Sequence, residues 1–388
     1  MHSKSIFFTK EKLFASIFII LYSLWVFYTH ITSSQYFTLF DYESTSKIIN
    51  SIILIFFLVA LVLVYRISIY SFLDLAIILI FIISYIHSKT GLMLFAFTFL
   101  SRHINFRLVV KSFLLATLAG IAFVFLTYLF NLYSDSYLDL ARNDTFRYLL
   151  GYRFPTFLPN YFFHITLCYL FLRNIRITLL EIFILVAANY VLYIYTDTRA
   201  VFYLINLLLF VILITKWFGI DYKTVILGRV LKLFTINSFF IFGFIAIYLQ
   251  YKYDPNVTWL KDINSALSGR LNLGHQGIEQ YGITLFGSLI EYVPILDADK
   301  FNNFFYIDSA YLQLLLTNGL VIYALVLIGC YRLGKIIAEK NEPIFGIVII
   351  FLLFHSMTDP QLLAGEFNPF MLCIAYYGTA NIKENLLK

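Results

Sequence analysis

Charge is what this sequence has least of. Only 13% of its 388 residues are Asp, Glu, Lys or Arg, against 61% apolar, and the mean hydropathy is +0.83. A soluble domain needs a charged exterior. That class is therefore excluded, and an all-α, polytopic integral membrane protein is expected. Apolar–polar alternation is also lacking, which excludes a transmembrane barrel. Cysteine is scarce. Cys168, Cys330 and Cys373 lie in apolar runs with neither metal-ligand nor disulfide spacing, and they read as small core residues. No His–Glu–His or Cys–His set has ligand spacing, so no metal is expected. No internal repeat, low-complexity tract or Gly/Ser linker divides the chain, which leaves residues 1–388 as one membrane domain. The apolar run after Lys4, Lys10 and Lys12 has no small-residue cleavage site at Tyr28–Ser33, so it is expected to stay as a first span. The net charge of +6 is topological in origin and carries no nucleic-acid signal.

What is present is hydrophobic helix. A straight span takes about 20 apolar residues. The candidates are Leu13–Tyr28, Ile48–Tyr65, Ile69–Ile86, Thr90–Leu100, Leu108–Phe130, Tyr161–Leu172, Ile177–Tyr195, Ala200–Trp217, Leu233–Leu249, Ala310–Leu333, Ile344–Met357 and Phe370–Ala380. Thr90–Leu100, Tyr161–Leu172 and Phe370–Ala380 are short enough to be re-entrant, giving about 10–12 spans. With both termini in the cytoplasm, most of the 28 basic residues fall inside and most acids fall outside, as the positive-inside rule requires. The basic residues left outside include Arg142, Arg147, Arg153, Arg199, Lys252, Lys261, Arg270 and Lys300. They fall mostly in or near two long outer loops, Asn131–Asn160 and Gln250–Asp308. The second is far longer than a connection needs to be.

Arginine suits phosphate, because its planar fork stays charged and grips two oxygens at once. Arg199 follows the very short turn Thr196-Asp197-Thr198 between two apolar helices. It either meets an anionic headgroup, snorkels to the interface or pairs with Asp197. Arg270 follows Ser268-Gly269 and opens Leu271–Tyr281, a candidate surface helix with His275 and Glu279 four apart on one face. Gly274 and Gly277 weaken that helix. His275 is either a general base or a solvated surface side chain. Asp308 stands before an apolar helix as an N-cap, a base for a sugar hydroxyl, or both. Asp359 and Glu366 are second choices. Arg142, Arg147 and Arg153 precede Phe154-Pro155-Thr156-Phe157-Leu158-Pro159-Asn160, whose two prolines predict an irregular turn rather than helix. Asp74 and Glu181 read as isolated intramembrane acids.

Three blocks then carry a resemblance. They are Thr196-Asp197-Thr198-Arg199-Ala200; Ser268-Gly269-Arg270 with Leu285-Phe286-Gly287; and Asp308-Ser309-Ala310-Tyr311-Leu312 with Asn318-Gly319-Leu320. In order and spacing they resemble the O-antigen polymerase and ligase superfamily, and within it the Wzy-type polysaccharide polymerases. A looser fourth block is Arg147, Gly151 and Pro159-Asn160. The resemblance implies a GT-C-like helical membrane fold in the bacterial cytoplasmic membrane. It implies an undecaprenyl-pyrophosphate-linked oligosaccharide as substrate, no nucleotide sugar and no cofactor. A flippase and a chain-length regulator protein are the implied partners. Asp308, Arg270 and Arg199 would be catalytic, with Arg147, Arg153, Arg142, His275, Glu279 and Tyr311 binding substrate. Asp308 stands where the ligases show histidine, which points to a polymerase. A ligase-type transferase and a lipid-linked oligosaccharide flippase remain the alternatives.

Overall fold

A computed structural model of the chain describes residues 2–36, 48–49, 51–56, 59, 69–88, 91–130, 137–142, 145–223, 226–293 and 304–375. It is mostly helical. Helices α1 (His2–Ser33), α2 (Ile69–Ser88), α3 (Leu92–Ser101) and α4 (Phe106–Leu129) come first. A small antiparallel hairpin follows, β1 (Tyr137–Arg142) and β2 (Thr145–Tyr148), with Leu138 opposite Arg147. Then come α5 (Phe157–Arg173), α6 (Leu179–Thr196), α7 (Arg199–Trp217) and α8 (Ile226–Tyr251). Two shorter helices, α9 (Thr258–Ala266) and α10 (Arg270–Tyr281), lead to α11 (Ala310–Glu339) and α12 (Pro343–His355). Six stretches are long and apolar enough to cross a membrane: Lys12–Ser33, Phe106–Leu129, Leu179–Thr196, Arg199–Trp217, Ile226–Tyr251 and Ala310–Glu339. Asp74–Ser88 and Pro343–His355 are shorter apolar helices. The expected Ile48–Tyr65 helix lies largely outside the described residues.

Continuous apolar sequence makes these helices, and their ends obey local chemistry. Thr178 and Glu181 form a reciprocal capping box at the start of α6. Pro159 sits in the first turn of α5, where its missing N–H costs nothing, so the double-proline segment does not stay irregular as expected. Phe370–Ala375 is a 3₁₀ helix rather than the start of an α-helical span. Asp74 and Glu181 are not isolated. Asp74 receives both guanidinium amino groups of Arg102 at 2.8 and 2.7 Å in a buried fork. Glu181 pairs with Arg173 at 2.8 Å and accepts from Tyr169.

Side-chain bonds fix the two faces of the bundle. Asn160, near the start of α5, donates to Asp359 just past α12, while Asn174, just past α5, donates to Glu342 just before α12. Helices α5 and α12 are therefore antiparallel neighbours. Arg173, Glu181, Lys216 with its bond to the Ile177 carbonyl, and Asn341 with its bond to Tyr222 share one face. The other face, called the site face below, carries the end of α1, the hairpin, the α6–α7 turn and the α9–α10 corner.

Helix α11 is broken at Gly319 (φ 85°, ψ 170°). A break leaves helical amides and carbonyls without partners. The segment Thr284–Ser288 supplies them: Leu320 N–H donates to Thr284 O (2.9 Å), Val321 N–H to Leu285 O (3.1 Å), and Ser288 N–H to Leu316 O (3.0 Å). Gly287 and Gly319 meet where a Cβ on either would overlap the other strand's backbone. Non-helical backbone at such depth survives only when protein satisfies it.

Candidate functional site

The α9–α10 corner presents Arg270. Ser268 (φ 58°) and Gly269 (φ 87°) are both left-handed and turn the chain sharply. Asn264 locks the turn, accepting the Asn272 N–H at 3.0 Å through its side chain and the Gly269 N–H at 2.8 Å through its carbonyl. Helix α10 packs so closely on α8 and α11 that a Cβ on Gly274 would overlap Gln250, and one on Gly277 would press on Ile307. Those glycines weaken the helix locally and are required by the contact. Arg270 is thereby held over the start of α11, and its Nε donates to Asp308 Oδ2 at 3.0 Å. Its two terminal amino groups make no hydrogen bond to the described residues. The side chains are partly open, 33% exposed for Arg270 and 23% for Asp308. Asp308 is not the N-cap. Ser309 occupies that position and makes no side-chain capping bond.

A second carboxylate comes from the end of α12. The Ala310 N–H donates to Ser356 O at 3.0 Å, which ties the start of α11 to this turn. Asp359 Oδ2 accepts from Asn160 Nδ2 at 2.9 Å, and Oδ1 accepts from the Gln361 N–H at 2.9 Å. His355 Nδ1 lies 4.0 Å from the same Oδ1. His164, one turn beyond Asn160 on α5, meets the His355 ring edge-on at 6.1 Å. Burial pushes Asp359 up to about 6, although the Gln361 amide, Arg270 and Asn160 all oppose the shift. Burial also raises Asp308 above the usual carboxylate range; Arg270 opposes this and the charge on Asp359 adds to it. Arg270 thus favours the charged form of both acids, while burial, and for Asp308 the like charge of Asp359, works against it. No three His, Cys, Asp or Glu side chains among the described residues come together as a metal site.

Below these turns a cavity of about 680 Å³ runs between α2, α3 and α11. Ile77, Phe81, Met93, Leu94, Leu314, Ile322 and Val326 give it apolar walls. Its upper end is lined by Ala310, Gln313, Tyr292, Pro360 and Glu366, so both carboxylate-bearing turns abut it; Arg332 lies at the lower end of α11.

The other sequence candidates take varied positions. Arg199 is on the site face but pairs with Asp197 at 3.1 Å and is 46% exposed; nothing joins it to Arg270 among the described residues. Arg147 turns inward, donating from Nε to the Thr196 carbonyl at 2.8 Å and from Nη2 to Thr198 Oγ1 at 3.4 Å, so it braces the α6–α7 turn. Arg153 joins α1 through its backbone N–H to Ser33 O at 3.0 Å. Arg142 ends β1, and its side chain lies outside the described residues. His275 donates from Nδ1 to Gln250 O at 3.1 Å and sits 3.4 Å from Glu279, a local i,i+4 pair. Tyr311 is fully buried, with its hydroxyl on Leu353 O at 2.8 Å; it is core and cannot meet substrate. Sequence reasoning missed His164 and His355, and placed Asn160 only in the loose fourth block, without a role. Two polar pairs four residues apart, Asn160/His164 and His355/Asp359, mark the ends of otherwise apolar helices, and that pattern was the available signal. No protein-family model, curated protein or solved structure matches this chain.

Proposed function

We propose that this protein is a membrane glycosyltransferase of the Wzy type. It joins oligosaccharide repeat units carried on polyprenyl pyrophosphate into a polysaccharide at the outer face of a bacterial cytoplasmic membrane. One observation carries the reading: a partly open guanidinium with unbonded terminal amino groups stands among two carboxylates, next to the turns that head a membrane-depth apolar cavity. A lipid-linked anion has that shape, a long hydrocarbon followed by a doubly charged head. Arg173 and Lys216 both lie on the opposite face, which favours that face as cytoplasmic. The GT-C-like arrangement belongs to the same proposal, as does a flippase that delivers the carriers.

A hydroxyl of the incoming unit attacks the anomeric carbon of the growing chain. The bond from that carbon to the carrier phosphate oxygen breaks, and its electron pair leaves on the pyrophosphate. Arg270 stabilises the developing charge, and stabilisation in a partly dry site is worth far more than in water. Asp308 holds the guanidinium through Nε, which leaves both terminal amino groups to take the anion. Two lipid-anchored substrates fixed side by side react as an effectively unimolecular pair.

Reconstitution in liposomes with synthetic polyprenyl-pyrophosphate-linked repeat units tests this. A ladder of products is expected. A single transfer to a different acceptor would mark a ligase, and relocation of the unit without a new bond would mark a flippase.

A further inference from the structure

We propose that Asp359, rather than Asp308, takes the proton from the attacking hydroxyl, and that Asn160 is the positioning residue that holds it ready. This rests on the glycosyl-transfer reading above.

The two acids differ in what they touch. Asp308 Oδ2 lies 3.0 Å from a permanent cation, and an ion-paired oxygen is a poor proton acceptor. Asp359 is bonded only to neutral donors, the Asn160 amide and the Gln361 backbone N–H. Each of its oxygens keeps further lone-pair capacity. The groups facing Asp359 are Arg270 from α10, Asp308 and Tyr306 from the segment before α11, and His355 from α12; His164 on α5 adjoins His355.

The surroundings are unlike core. Ten buried side-chain polar atoms among the described residues make no hydrogen bond. Five of them lie on residues at or beside this turn, Asn160 Oδ1, both His164 ring nitrogens, Gln361 Oε1 and Ser309 Oγ, with the His164 and Gln361 side chains close enough to interact. Native interiors leave few such atoms, and their concentration beside Asp359 fits a polar working site. His164 meets the His355 ring and faces Gln361 behind the carboxylate. Burial keeps Asp359 near neutrality in affinity for protons, where a general base is most effective. In the step, the hydroxyl oxygen bonds to the anomeric carbon, the carrier oxygen departs with the bonding pair beside Arg270, and the hydroxyl proton moves to an Asp359 oxygen and then to water.

The test is single-turnover transfer between synthetic carriers by the reconstituted full-length protein, from pH 5 to 8. Wild type should rise along an acid limb centred near 6. Asp359→Asn should lose about 100-fold or more in rate and lose the limb. Asp308→Asn should keep the limb. Asn160→Ala should move it to higher pH, because it removes a donor to the charged carboxylate. Infrared difference spectra need no substrate: the protonated-carboxyl component titrating near pH 6 should be lost in Asp359→Asn, while that of Glu366, which burial pushes up to about 7, should stay. Near-wild-type transfer by Asp359→Asn, or loss of the limb in Asp308→Asn alone, overturns the assignment. A wild type that forms no glycosidic bond at any pH overturns the function itself, whatever the infrared titration gives.

Discussion

Replacing Gly287 with alanine should unseat the segment that plugs the break in α11. Gly287 has φ +90°, and a Cβ there would overlap the Thr317 carbonyl, which is backbone and cannot swing aside. Left-handed backbone costs a non-glycine residue about 1–2 kcal/mol. Relieving the overlap would pull Thr284–Ser288 away from α11 and break its three backbone bonds there. At about 1 kcal/mol each, the total reaches roughly 4–5 kcal/mol. That is a large share of the ~5–15 kcal/mol by which folded chains are stable. Gly319→Ala should behave alike, since its Cβ would overlap Leu285 O and Gly287 N. Gly219→Ala is the control: φ is +55° but nothing lies within 4 Å, so only the backbone term of about 1–2 kcal/mol applies. Thermal unfolding in detergent, with limited proteolysis across residues 282–293, measures the difference. A Gly287→Ala protein no less stable than Gly219→Ala would refute the plug.

Asp74→Ala should destabilise by about 3–5 kcal/mol, because it strands a buried guanidinium, whereas replacing Asp74 and Arg102 together with leucine should be close to neutral. A thermal-unfolding double-mutant cycle checks this, and additive losses would contradict it. Stability should also fall between about pH 4 and 6 on account of Asp359. Its folded value is raised from 3.8 to about 6, so its contribution is full below the unfolded value and lost as pH rises through 6. The loss amounts to about 3 kcal/mol. Asp359→Asn should flatten that part of the stability profile.

Much of the bundle was legible because continuous apolar sequence has few other outcomes. The helices over Ala200–Trp217 and Ala310–Leu333 appear with nearly the expected limits, α7 (Arg199–Trp217) and α11 (Ala310–Glu339). The segment Leu271–Tyr281 forms α10, with His275 and Glu279 meeting as the spacing implied. What escaped was contact between distant residues. Asn160 and Asp359 are 199 positions apart, and Asp74 and Arg102 are 28 apart, so no local pattern pairs them. Arg199 and Arg270 looked equivalent as outer-face arginines. Only packing separates a guanidinium closed on its own turn by Asp197 from one held over a second carboxylate. The break in α11 was hidden because Asn318-Gly319 inside an apolar run is tolerated in a straight helix as well.

The account turns on where a lipid pyrophosphate sits. Cross-linking with a photoreactive polyprenyl pyrophosphate, read by peptide mass spectrometry, measures that directly. Adducts are expected along the cavity wall, around residues 313–326 and 360–366, and they should fade in Arg270→Ala. Adducts confined to the Arg199 turn, or unchanged by loss of Arg270, would contradict the site described above.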